Sequence, residues 1–200
     1  MPIENQKVGA VNAYKAQMKS FKSDMKLTDE RAMLLYTLYN FEMFDEHANL
    51  VIANKLCYFY QQVGEESFGR MRFSRGHYGP YCHQVEYLLK SVTGKYIHGL
   101  EEMDAKPFED LDLEYGFKQE VSDYVHKMPD AQRRHIREVL NLIDGFESAF
   151  SLEILATVSY IMQASPNISF EDVVLEVGKW SERKNDFLRK TISALHITVS

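Results

Sequence analysis

Cysteine is scarce in this chain of 200 residues: there are two, Cys57 and Cys82. Each falls in an expected helix beside aromatic residues, where a free thiol serves as a small buried hydrophobe, so a disulfide framework is not expected and a reducing compartment fits. No apolar run approaches the roughly 18 residues that cross a bilayer. The first residues, with Glu4, Asn5, Gln6 and Lys7, lack the hydrophobic block of a secretory signal. The cytoplasm is therefore the expected compartment, and no membrane contact is predicted. The ten glycines form neither G-x-G-x-x-G nor G-x-x-x-x-G-K, which removes the backbone cradle for phosphates. Cys82 and His83 are adjacent rather than spaced, about 100° apart on a helix. No other Cys or His pair completes a ligand set, so neither a metal nor a cofactor is expected. Internal repeats and low-complexity tracts are missing as well.

Positive charge is in deficit. Lysine and arginine number 23 against 29 acids, a net −6, which argues against general nucleic-acid binding, whose affinity comes from cations neutralising phosphates. The imbalance is uneven. Residues 1–27 hold Lys7, Lys15, Lys19, Lys22 and Lys26 against Glu4 and Asp24, a local +3, so the remainder carries −9. Between Lys95 and His126 nine acids face three lysines, a local −6. With 45% hydrophobic residues the chain is globular, and its length suits one domain, or one domain with an appendage.

Periodicity supplies the elements. Val8, Val11, Tyr14, Met18, Phe21 and Met25 recur at three- and four-residue steps, which predicts an amphipathic connector helix over 1–27 ahead of a single domain at 28–200. Thr28 or Asp29 caps a helix bearing Leu34, Leu38 and Phe41. Beyond the polar break Asp45-Glu46-His47, a helix with Leu56, Phe59, Tyr60 and Val63 on one face stops at Gly64. Arg70, Met71, Arg72 and Phe73 alternate, the signature of a strand near 68–74. Pro80 suits the first turn of the next helix, which carries Tyr81, Val85, Leu88 and Val92 and ends at Gly94. Strands follow near 95–100 and 110–115, the latter placing Leu111, Leu113 and Tyr115 inward and Asp110, Asp112 and Glu114 outward. The remainder reads as helices over 117–127, 130–144 with Gly145 as its stop, 152–163, one boxed by Ser169 and Asp172, and a last one after Trp180 with Phe187, Ile192 and Leu195. The predicted class is α+β, mostly α-helical: a winged-helix-like helical domain whose small antiparallel sheet forms a wing.

Several ordered blocks, KLCYFYQQVGE, HYGPY, the helix before GKYIHG, LIDGFESAFSLEILATV and WSERK, resemble the C-terminal toxin-binding domain of the DarG family antitoxins, partners of the DNA ADP-ribosyltransferase toxin DarT. The similarity runs from Leu34 to Leu195. The KLCYFYQQ and YGPY blocks more distantly resemble Panacea antitoxin domains. In the DarG family a macrodomain removes ADP-ribose from DNA while the C-terminal domain binds and blocks the toxin, so the resemblance implies that second role here. It makes His77, Tyr78, Gly79, Pro80 and Tyr81 the family turn. The partners it implies are a DarT-like toxin protein and a macrodomain on the same or a neighbouring polypeptide.

Charge suggests how such a partner would be met. Glu101, Glu102, Asp104, Glu109, Asp110, Asp112 and Glu114 are the expected contact residues, standing in for DNA in a basic groove. Alternate strand residues lie about 6.8 Å apart, whereas one DNA strand carries a charge about every 3.4 Å. The strand thus reaches half the density, and the acids before it must fold alongside; a solvated acidic face is the plainer reading. Arg70, Arg72, Arg75 and His77 read either as phosphate contacts of a wing or, preferably, as partners of neighbouring acids. The paired carboxylates Glu65-Glu66 and Glu101-Glu102 precede loops, with no sign of an apolar pocket to shift a pKa, so no enzyme is predicted. The expectation is an antitoxin domain that neutralises a DarT-like toxin by acidic mimicry, with no direct nucleic-acid contact. The alternatives are a winged-helix transcriptional regulator and an oligomerisation module.

Overall fold

A computed structural model describes residues 25–42, 47–100 and 106–188 of the chain. Most of the predicted connector helix lies outside the described residues; Met25 to Leu27 run irregularly and lay Met25 and Leu27 on the core. Two helices make the centre because they have little polar face to offer water. In α1 (Asp29–Phe41) Ala32, Met33, Leu34, Leu35, Leu38, Tyr39 and Phe41 are buried. The second, α2 (Leu50–Gln62), buries every residue from Leu50 to Tyr60, as a helix apolar all round must. Its first turn is capped by Asn49, whose side chain accepts from Ile52 N at 3.0 Å. Beyond its end Gly64 takes φ +83°, the expected stop.

Around this pair stand α3 (His83–Lys90), α4 (Lys118–His126), α5 (Asp130–Ile143), α6 (Ala149–Ala164), α7 (Phe170–Gly178) and a helical segment over 182–188. Packing sets α4 on α1, α6 on α2 and α7 on α6. The α6–α7 pair encloses a satellite core of Ile161, Val173 and Val177, with Trp180 and Leu188 against it. Ser169 accepts from Asp172 N at 3.1 Å and donates to its carboxylate at 2.8 Å, the box read from the sequence. Ile192 and Leu195 lie outside the described residues. Both cysteines are free and buried. No helix among the described residues is long and apolar enough to cross a membrane.

The class is α+β, helices with small antiparallel pairing, but the wing is divided. β1 (Ser74–Gly76) pairs with β2 (Gly79–Tyr81), and β3 (Ile97–His98) with β4 (Asp112–Leu113), as two separate ladders. The strand expected near 68–74 does not form. Phe68 closes a short 3-10 turn, and Gln61 Nε2 donates to the carbonyls of Phe68 and Met71 at 3.1 and 2.9 Å, so a side chain takes the acceptors a ladder needs. The alternation survives without the strand: Met71 is buried between exposed Arg70 and Arg72. Pro80 and Tyr81 belong to β2 rather than to a helix, and Cys82 is the residue before α3 rather than inside it. That helix ends at Lys90, ahead of Gly94, which turns the chain at φ +91° after Val92.

The second ladder keeps its alternation for two steps. Leu111 and Leu113 are buried while Asp110, Asp112 and Glu114 are exposed. Tyr115, expected inward, is 51% exposed. The Glu114 carboxylate accepts from Gly116 N at 3.2 Å and turns the chain into a 3-10 helix, which rotates Tyr115 onto the Tyr39 ring at 5.4 Å.

Candidate functional site

The turn His77-Tyr78-Gly79-Pro80-Tyr81 is anchored from beneath at several points. Gly76 and Gly79 are paired across the first ladder, leaving His77 and Tyr78 as a two-residue hairpin tip. Gly79 sits at φ +90°, and a Cβ there would come within 2.9 Å of Thr157 Oγ1, so both backbone and neighbour require glycine. Three of the other sequence blocks converge beneath the tip. Lys55 of α2 donates to Pro80 O at 2.7 Å. Lys184 donates to His77 O at 3.4 Å and to Glu153 Oε1 of α6 at 2.5 Å. Trp180 Nε1 donates to Gly76 O at 2.8 Å, and the Arg75 guanidinium lies 4.3 Å from the centre of that indole.

Lys55, Glu153 and Lys184 are each about 1% exposed or less. Burying three charges costs solvation that ion pairing only partly offsets, so such clusters are maintained where they hold something in place. Here they hold the carbonyls of an exposed hairpin tip. Burial lowers the Lys55 pKa to about 7; the Lys184 charge pushes the same way and Glu153 opposes. Burial also lowers Lys184, against the pull of Glu153. Glu153 Oε2 is buried without a hydrogen bond, with Arg183 Nη1 at 3.7 Å. The Arg183 guanidinium in turn covers Phe150 at 4.2 Å and Phe108 at 5.7 Å, and Tyr78 meets Phe108 edge-on at 4.8 Å. An aromatic and cationic strip thus runs outward from the tip.

The sequence marks the turn but misses its anchors. Lys55 lies in the otherwise apolar run LVIANKLCYFY and Glu153 in AFSLEILATV. A charged residue with no other charge on its helix face is the signal that would have singled them out.

The predicted contact acids are placed differently. Glu101, Glu102 and Asp104 lie outside the described residues. Glu109, Asp110, Asp112 and Glu114 are exposed, and none has an ion pair among the described residues. Among the described residues the expected pairing of Arg70, Arg72 and Arg75 with neighbouring acids is not made; Arg75 is taken by Trp180 and by Lys179 O at 3.4 Å. Glu65, read as half of a loop-side pair, is a buried cap instead. It accepts from Ser67 N at 3.2 Å and lies 2.7 Å from His135 Nδ1. Burial raises its carboxyl pKa, but these bonds outweigh burial and hold it below the usual value.

No family model matches the chain. It is 25% identical over 186 residues to a DNA ADP-ribosyl glycohydrolase of Thermus aquaticus, a match covering 93% of this chain and 48% of the relative. Proteins of the same name from Mycobacterium bovis and Mycobacterium tuberculosis are each 27% identical over 134 residues, covering 65% of this chain and 38% of theirs. The chain spans about half the length of the first of these relatives, at 48%, and less of the other two. These names correct two expectations. The relatives are named as hydrolases, not as antitoxins that neutralise a toxin by imitating DNA, and the prediction of no enzyme gives way with it.

Proposed function

We propose that this chain forms part of a glycohydrolase that removes ADP-ribose from DNA in the cytoplasm, corresponding to the C-terminal portion of a DarG-type protein. The observation that carries this reading is the match along 93% of the chain to a relative with that name. The convergence of Lys55, the family turn, Glu153 and Lys184 on one buried centre supports it, because the blocks that carry the resemblance are those that build the centre. In this reading the clamped tip positions the DNA substrate. A macrodomain on the same or a neighbouring polypeptide is its partner, and a DarT-like transferase makes the modified DNA that such an enzyme consumes.

The test is release of ADP-ribose from an ADP-ribosylated single-stranded oligonucleotide, followed by chromatography, with the chain alone and with a macrodomain supplied. Release in either arm that exceeds the macrodomain by itself is expected. No gain in either arm overturns the reading.

A further inference from the structure

A groove of about 470 Å³ opens where the C-terminal ends of α2 and α6 meet the loop over 69–73. It falls within the size range of small-ligand sites, and it shares no residue with the centre beneath the hairpin tip. The Gln61 side chain builds one wall. Both of its N–H donors are spent on the carbonyls of Phe68 and Met71, which ties the loop to α2 and leaves the side-chain oxygen to accept. Gln163 Oε1 accepts from Tyr58 OH at 3.5 Å, so its amide nitrogen is left to donate, and Gln62 keeps both kinds of partner. Arg72 is fixed through its backbone N, which donates to Gln84 Oε1 at 3.1 Å, while its guanidinium has no ion pair among the described residues. Phe73 and Tyr160 also line the groove, each packed against Tyr58 with ring centres 5.3 and 6.3 Å away. Among the described residues no aspartate or glutamate lines it.

These groups define the chemistry of a ligand. With one guanidinium and no acid, the groove favours an anion over a cation. Three neutral amides, spread over two helices, call for several groups that donate and accept at once, as hydroxyls do. The half-buried rings offer faces of partial negative charge to polarised C–H bonds. An apolar ligand would strand the amides without partners, and a bare phosphate would leave the rings unused. We propose that this groove binds a phosphorylated monosaccharide, with Arg72 holding the phosphate, Gln62 and Gln163 bonding the hydroxyls, and Phe73 and Tyr160 bearing on the C–H face of the sugar. The groove's own chemistry, not the glycohydrolase reading, supports this site. A guanidinium meets phosphate through paired, charge-assisted hydrogen bonds, so the largest share of the affinity falls on Arg72.

Titration of ribose-5-phosphate into the whole isotope-labelled chain, followed in the proton–nitrogen NMR spectrum, tests this. The side-chain amide signals of Gln62 and Gln163 are expected to move and to saturate. Ribose and inorganic phosphate, each supplying part of the contacts, should bind at least about tenfold more weakly. Arg72→Gln should lose about tenfold of the affinity for ribose-5-phosphate, and Gln62→Leu about fivefold. Neither side chain is hydrogen-bonded among the described residues, so both variants should keep the Tm of the parent, which separates lost binding from lost folding. Inorganic phosphate binding as tightly as the sugar phosphate would reduce Arg72 to a general anion contact and overturn the site. Amide signals that stay still, or movement confined to residues outside the groove, would overturn it as well. So would a short acidic peptide that moves the same signals at lower concentration, since the groove would then belong to a protein partner.

Discussion

The two ladders of this protein are of similar size and are held by opposite means. The first, Ser74–Gly76 with Gly79–Tyr81, has almost no apolar body of its own and is fixed from below by Lys55, Lys184 and Trp180 reaching its carbonyls. The second, Ile97–His98 with Asp112–Leu113, is held by apolar faces, with Ile97, Leu111 and Leu113 buried and its carboxylates in water. Charge is structural in one and superficial in the other. A charge in water contributes little to stability wherever it sits, whereas a buried one either has its partner or destabilises the fold. The more acidic stretch is thus the less demanding, and the hairpin with few visible charges depends on three that are hidden.

That contrast is open to measurement. Glu153→Ala leaves two buried lysines without a counter-ion and should cost about 3–5 kcal/mol in urea unfolding. A cost under 1 kcal/mol would mean that the centre does not hold the hairpin. Leu111→Ala, at the apolar ladder, should cost about 3 kcal/mol by cavity formation, with little effect on the first ladder.

The pH dependence has a definite sign. The folded pKa of Lys55, about 7, lies below the ordinary lysine value, so between the two the unfolded chain binds more protons and stability rises with pH. Unfolding free energies from urea titrations at pH 7 to 9 should climb by an amount approaching about 1.4 kcal/mol per pH unit, and Lys55→Met should flatten the climb. Gly79→Ala should cost about 2 kcal/mol, from its positive φ and the approach to Thr157. Replacing Asp112 by Asn and Glu114 by Gln together should change stability by less than about 0.5 kcal/mol. A large loss there would erase the distinction between the ladders.

Much of the helical frame was legible because it depends on local periodicity. The apolar steps in 130–144 and the box at Ser169 and Asp172 act within a few residues and appear where expected. The strand near 68–74 was legible only as alternation. Met71 turns inward as predicted, yet Gln61, outside that stretch, decides that its backbone is not a strand. Tyr115 fits the strand period but obeys the Glu114 turn. The candidate centre was half visible. The turn residues stand out in sequence, while Lys55, Glu153 and Lys184 lie 25 to 107 positions from the atoms they bond, beyond the reach of any window.

By itself the sequence determined the α+β class, most of the helices and their stops, the apolar alternation at Leu111 and Leu113, and the exposure of the acids that alternate with them, because each follows from spacing along a few residues. Tertiary structure alone decided that the wing would split into two ladders and that three isolated charges would meet beneath one hairpin. A buried charge is tolerable only where its partner arrives, and in this chain the partners come from distant helices that packing brings together.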